Sequence, residues 1–274
     1  MSTSDRGSEA LVDPDWIEDH LADPTVRLIE VDVSPAAYES GHIPGAVQWN
    51  AYSDLRDSTY LPIGRDELAT LLSIAGVEAE TTLVFYGYGA ALGFWLMRAQ
   101  GHDDVRLLEG DRGQWTASGR EWSTEVPAPA RASYRLAPEV EEIHASRQMV
   151  EAAIDDPETI LLDVRSELEF AGERFWPSGA TADAGRAGHL PGAVNLPIDR
   201  LREDDGSLRA PEELRLAFQR TAVGPEKTVI VYCTIANRAS QAWFGLTQLL
   251  GYPDVRVYYG SWVEWGKRTD TPIG

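Results

Sequence analysis

Thr228-Val-Ile-Val-Tyr-Cys233 is followed by Thr234-Ile-Ala-Asn-Arg238, and then by Ala239-Ser-Gln-Ala-Trp-Phe-Gly-Leu-Thr-Gln-Leu-Leu250, closed by Gly251. The first block is an unbroken apolar, β-branched run, the pattern of a strand buried on both faces of a sheet. The third reads as a helix stopped by glycine. Together they predict a strand–loop–helix unit of a parallel α/β sheet, in which ligands sit at the carboxyl ends of the strands. Cys233, the only cysteine in the chain, stands at that end, facing a helix N-terminus and five residues before Arg238. Helix-terminal amides and a nearby cation both favour a thiolate. Position alone also fits a buried, inert core cysteine, so the rest of the chain has to decide between the two.

The unit has a double. Val31-Asp-Val33 and Glu39-Ser-Gly-His-Ile-Pro-Gly-Ala-Val47 in the first half answer to Leu162-Asp-Val164 and Arg186-Ala-Gly-His-Leu-Pro-Gly-Ala-Val194 in the second. Each continues to an apolar strand, Thr82-Leu-Val-Phe-Tyr-Gly87 and Thr228-Val-Ile-Val-Tyr-Cys233. His42 to Gly87 is 45 residues and His189 to Cys233 is 44. Gly110 and Gly260 each precede a tryptophan, Trp115 and Trp265, by five. A period this long excludes a solenoid and indicates a duplicated domain. The second copy has about 16 extra residues before His189. The first copy is about four residues shorter after its strand end. The nucleophile is in the second copy only, because Gly87 takes its place in the first.

The predicted domains are 9–122 and 144–274, with 123–143 as a linker, since Ser123-Thr-Glu-Val-Pro-Ala-Pro-Ala-Arg-Ala-Ser133 has the composition of an extended connector. Strands are expected at 26–33, 46–50, 81–87 and 105–109, and again at 159–164, 193–196, 228–232 and 255–259. Helices are expected at 65–75, 91–100, 211–221 and 239–250. Continuous apolar strands alternating with helices give an α/β fold with mostly parallel sheets.

Bulk properties narrow the function classes. The chain has 274 residues, 43% of them hydrophobic, and carries 24 basic against 44 acidic residues, a net charge of −20. So acidic a protein is a poor partner for nucleic acid. No apolar run reaches the length of a membrane span, and the polar start Met1-Ser-Thr-Ser-Asp-Arg-Gly-Ser-Glu9 has no signal core. A single cysteine excludes an internal disulfide, and the cytoplasm is the expected compartment. No Cys/His cluster suggests a metal, and no cofactor is implied. His42 and His189 recur in both boxes, including the half without a cysteine, which favours a structural role. Within the C-x4-R loop, the backbone of Thr234, Ile235, Ala236 and Asn237 is expected to curl into a nest for an anionic sulfur. Arg238 is expected to meet an anionic donor. Asp163 recurs as Asp32 and reads as structural support. Arg165 has no counterpart, Ser34 standing there, and reads as a second cation for the donor.

The duplicated organisation, the two Gly-His-x-Pro-Gly-Ala boxes, the strand-Cys-loop-helix and Gly260-Ser-Trp-Val-Glu-Trp265 resemble the tandem-domain rhodaneses over nearly the whole chain. The resemblance implies two tandem rhodanese-like domains, each a mostly parallel sheet flanked by helices. It also implies sulfane-sulfur transfer through a persulfide on Cys233, with an inactive N-terminal domain. The loop-ending Arg238 is similar to that of the bacterial thiosulfate sulfurtransferases. There are departures: Thr234-Ile-Ala is neither the thiosulfate-type nor the mercaptopyruvate-type sequence, Ala236 replaces a loop glycine, and Glu169 stands where mercaptopyruvate enzymes have arginine. The expected reaction takes sulfur from thiosulfate to cyanide or another thiophilic acceptor by double displacement. The partners are then a small-molecule donor and acceptor, or a thiol or sulfur-acceptor protein. The alternatives are a 3-mercaptopyruvate sulfurtransferase, a non-enzymatic sulfur carrier or regulatory module, and a phosphatase or arsenate reductase. The last pair use a loop one residue longer.

Overall fold

The structure is a computed structural model and describes residues 9–204 and 206–274. The chain divides into two compact units, the first built mainly from residues up to Ser58 and Pro62–Val140, the second from Glu141–Glu203 and Leu208–Gly274. Each has a five-stranded, all-parallel sheet. In the first, β1 (Leu11–Val12), β2 (Val26–Asp32), β3 (Val47–Asn50), β4 (Thr82–Tyr86) and β5 (Val105–Leu108) take the order β1-β5-β4-β2-β3. In the second, β6 (His144–Ala145), β7 (Thr159–Asp163), β8 (Val194–Asn195), β9 (Thr228–Tyr232) and β10 (Val255–Tyr258) take the order β6-β10-β9-β7-β8.

The cysteine-bearing strand is thus the central one. β9 is sandwiched between β7 and β10, and four of its five residues are buried. Apolar β-branched side chains suit a position covered on both faces. The register sets Asp163 beside Tyr232, so the carboxyl ends of β7 and β9 open at one level, and Cys233 follows directly. β4 holds the matching central place, with Glu30 beside Tyr86 and Gly87 next, so the register makes Glu30 the counterpart of Asp163 and sets Asp32 at the place of Arg165, two residues from the match that the Asp-Val pairs suggest.

The expected strands and helices form. Two-residue β1 and β6 and the helices Pro14–His20 and Arg147–Ala153 add to them. Residues 124–140 are irregular and are held on the first unit: Ala132 N–H donates to Ser73 O (3.0 Å), Ser73 Oγ to Ala132 O (2.6 Å), and Val140 N–H to Ala99 O (2.8 Å). The stretch read as an extended connector is therefore anchored for much of its length. Among the described residues, no helix is long and apolar enough to cross a membrane.

Candidate functional site

Cys233 is fully buried, and Thr234, Ile235, Ala236 and Asn237 around it are buried. The helix after the loop runs Asn237–Phe244 and continues as a π segment, Gly245–Leu249. It therefore begins two residues earlier than its sequence suggests, and Asn237 and Arg238 belong to its first turn. The loop proper is Thr234–Ala236. The signal was hidden because the helix has no side-chain cap: Ala236 precedes it in the left-handed region (φ 66°), where alanine is uncommon.

A serine on a different element pins this turn. Ser261 Oγ accepts from Cys233 N–H (3.3 Å) and from Ala236 N–H (3.1 Å), and donates to Tyr258 O (2.8 Å). The next two residues of its helix bind the same loop: Trp262 N–H donates to Cys233 O and Val263 N–H to Thr234 O, both at 3.0 Å. Ser261 is itself held at φ 51°.

Each cation near the cysteine is matched by a carboxylate. Arg238 Nη1 and Nη2 donate to the buried Glu169 at 2.9 and 2.8 Å, and Nη2 also donates to Thr234 Oγ1 at 2.7 Å. Thr234 Oγ1 and Ser166 Oγ donate to Glu169, each at 2.7 Å. Burial alone would raise the Glu169 carboxyl, but Arg238, Thr234 and Ser166 outweigh it and hold the group at about 2. Arg165 closes on Asp163 through Nε (3.0 Å) and Nη2 (2.6 Å), with both side chains fully buried, and Nη2 also donates to Gly188 O at 2.7 Å. Its guanidinium lies 4.6 Å from the Trp262 ring centre and 5.5 Å from that of Tyr232.

The two Gly-His-x-Pro-Gly-Ala boxes are packing elements. Tyr232 Oη accepts from Leu190 N–H and Tyr86 Oη from Ile43 N–H, both at 3.1 Å. His42 stacks on Tyr38 and His189 on Phe170, each at 3.8 Å, with Nδ1 against the backbone O of Tyr38 and Phe170 respectively.

A model of the rhodanese-like domain matches residues 13–118 and 146–268. The chain belongs to the rhodanese family. It is 40% identical over 97% of its length to the sulfur carrier protein TtuD of Thermus thermophilus, of which 96% is covered. It is 38% identical over its whole length to a Haloferax volcanii protein named "Putative thiosulfate sulfurtransferase", 99% of which is covered. Among solved structures it resembles an anaerobic ergothioneine biosynthesis enzyme of Chlorobium limicola bound to trimethyl histidine, with a TM-score of 0.87 and 27% identity over 97% of this chain and 70% of that one. Tandem rhodanese organisation and membership of the sulfurtransferases follow.

Within this rhodanese, the geometry gives protein partners to four of the residues expected to meet the donor. Arg165 is held through Nε and Nη2 by Asp163 and Gly188 O beside two aromatic rings, while its buried Nη1 has no hydrogen-bond partner among the described residues. Ala236 turns the chain, and its amide donates to Ser261 Oγ. Arg238 is engaged by Glu169, so Glu169 is a neutralised partner and not a repulsive charge. Thr234 likewise presents its hydroxyl to Glu169. A serine in a Gly-Ser-Trp run has no intrinsic marker of such a role; the alignment of Gly260-Ser261 with Gly110-Asp111 is the signal that the sequence carries.

Proposed function

We propose that this chain is a thiosulfate sulfurtransferase working through a Cys233 persulfide. The observation that supports it most is the seat of the cysteine: the end of a central parallel strand, a three-residue buried turn, and then a helix N-terminus. With Arg238 and Arg165 each balanced by a carboxylate, the positive field left for an anionic sulfur comes from the helix terminus and backbone amides. The Cys233 thiolate attacks the outer sulfur of thiosulfate. A Cys–S bond forms as the S–S bond of the donor breaks, and sulfite leaves with the electron pair. Cyanide or a thiol then takes the outer sulfur and restores the thiolate. No general base takes part in this step, since the attacking species is the thiolate. The first domain, with Gly87 in place of the cysteine, is inactive in this reading.

Thiosulfate is favoured over 3-mercaptopyruvate by the Arg238–Glu169 pair: it engages the arginine that would anchor the keto acid's carboxylate. A compact donor suits a buried turn better. A sulfur-carrier role is the second reading, favoured by the 40% identity to TtuD. Intact-protein mass spectrometry after thiosulfate should show one added sulfur, about 32 Da, that cyanide removes and that Cys233→Ser never acquires. kcat/KM for thiosulfate should exceed that for 3-mercaptopyruvate by at least about tenfold. Absence of the adduct would defeat the persulfide reading, and equal or better use of mercaptopyruvate would defeat the donor assignment. Loading without turnover to cyanide would make the chain a carrier.

A further inference from the structure

The two domains place different side chains at one equivalent point. Asp111 follows Gly110 as Ser261 follows Gly260. Both are held at left-handed backbone angles, φ 53° and 51°. Both accept a hydrogen bond from the residue that follows the central strand, Gly87 N–H for Asp111 and Cys233 N–H for Ser261. The acceptor role is thus shared and the charge is not. The domain without a cysteine carries a carboxyl group there, and the domain with the cysteine carries a hydroxyl. The Ser261 proton is committed to Tyr258 O, so its oxygen faces the loop as a neutral acceptor for two amides.

We propose that Ser261 is a positioning residue for sulfur transfer, and that its neutrality is what its side chain must supply. It fixes the Cys233–Ala236 turn through the two amides without setting a negative charge beside a sulfur that has to be anionic. A carboxylate can accept from the amide that follows the strand, as Asp111 does from Gly87 N–H. Where it is ionised, its repulsion of a thiolate and of a dianionic donor would be weakly screened in a buried site. Burial raises the Asp111 carboxyl even against the hydrogen bonds from Gly87 and Arg112 N–H, so the penalty of a carboxyl at position 261 should deepen as pH rises. This inference rests on the Cys233 persulfide reading.

The test is an isosteric pair. Ser261→Asn and Ser261→Asp have the same bulk and both tolerate left-handed backbone, so steric cost cancels between them. The activity of Ser261→Asp should be at least about thirtyfold below that of Ser261→Asn in thiosulfate kcat/KM. Alkylation of Cys233 in the folded protein supplies a second readout. The ratio of neutral iodoacetamide to anionic iodoacetate rates should rise in Ser261→Asp and stay near wild type in Ser261→Asn. A purely structural serine would leave that ratio unmoved and would make the two variants equally poor, which would overturn the charge argument. Ser261→Ala, which adds no bulk, covers the case in which both larger variants fail to fold. It should lower kcat/KM by about tenfold in a folded protein, and wild-type activity in it would overturn the positioning role. Failure of wild-type protein to acquire cyanide-removable sulfur would instead defeat the underlying reading, independently of these variants.

Discussion

The ends of β4 and β9 occupy the same place in two copies of one fold, and they differ in how the loop leaves the strand. After β9 come three loop residues and then a helix with a π segment, Asn237–Leu249. After β4 come two loop residues and the shorter helix Ala90–Ala99. The four-residue difference read from the sequence is thus one residue of loop and three of helix. Beneath the loops the copies keep the same supports by different means. In the second, Arg165 from the end of β7 donates to Gly188 O. In the first, Arg112, from the helix after β5, donates to the equivalent Gly41 O (2.6 Å) and to Glu30 (2.7 Å). A guanidinium under the glycine-histidine box is retained, although the element providing it has changed. Duplication has preserved a physical requirement rather than a residue. The lesson is that Arg165 lacked a counterpart in alignment but has one in space.

The largest effect should come from breaking that support. Arg165→Met leaves Asp163 buried without its partner and should cost about 3–5 kcal/mol in urea unfolding. Arg112→Met should cost less, about 1–2 kcal/mol, because Arg112 is 24% exposed and burial already raises the Glu30 carboxyl, which can take up a proton instead. Adding Asp163→Asn to Arg165→Met should recover part of the loss. Equal costs for the two single variants would show that the cations are not the unequal supports their burial implies.

A smaller effect sharpens the contrast between the strand ends. Gly87 is at φ 95°, and a Cβ there would lie 2.7 Å from Val31 O and 3.3 Å from Val31 N. Gly87→Cys should therefore destabilise by about 2–3 kcal/mol through backbone strain and close contact. It should also add no cyanide-removable sulfur. Two labile sulfurs per chain would show that the first domain retains a usable cradle.

Much of this was legible beforehand because it depends on patterns that the chain carries locally. The buried strands announce themselves by β-branched runs, and the duplication by paired boxes at equal spacing. The Cys233 position followed from a strand run meeting a helix run. What stayed hidden depends on pairs distant in sequence. Glu169 was visible only as a missing arginine, since nothing local says that it closes on Arg238, 69 residues away. Arg165 reads as a second cation for the donor because its partners are Asp163 across a turn and a carbonyl 23 residues on. The early helix start was missed because a left-handed alanine replaces the usual capping side chain. The edge strands β1 and β6 are two residues each, too short for any period to register.

The smallest expected effect is on acid stability, where the two sites should move in opposite directions. Burial raises the Glu169 carboxyl, but Arg238, Thr234 and Ser166 together bring it to about 2, below the ordinary 4.5. The folded state then binds this proton less readily than the unfolded state. Its contribution is fully present above the unfolded value and is lost as pH falls toward the folded one, by about 1 kcal/mol at roughly pH 3.5. Glu30 has the opposite balance: burial outweighs the hydrogen bond from Tyr86 and the charge of Arg112, and its carboxyl is raised. The folded state takes up this proton first, so acidification through the folded value adds stability from Glu30. Replacing either residue by glutamine removes its own pH dependence and leaves the rest. Between neutral pH and about pH 3.5, Glu169→Gln should therefore lose less urea resistance than wild type, and Glu30→Gln should lose more. The slope is the informative quantity, since each substitution also carries a pH-independent cost. Shifts of the same sign in both variants would mean that the two buried carboxyls are balanced alike. The contrast between a guanidinium-closed second site and a burial-dominated first one would then fail.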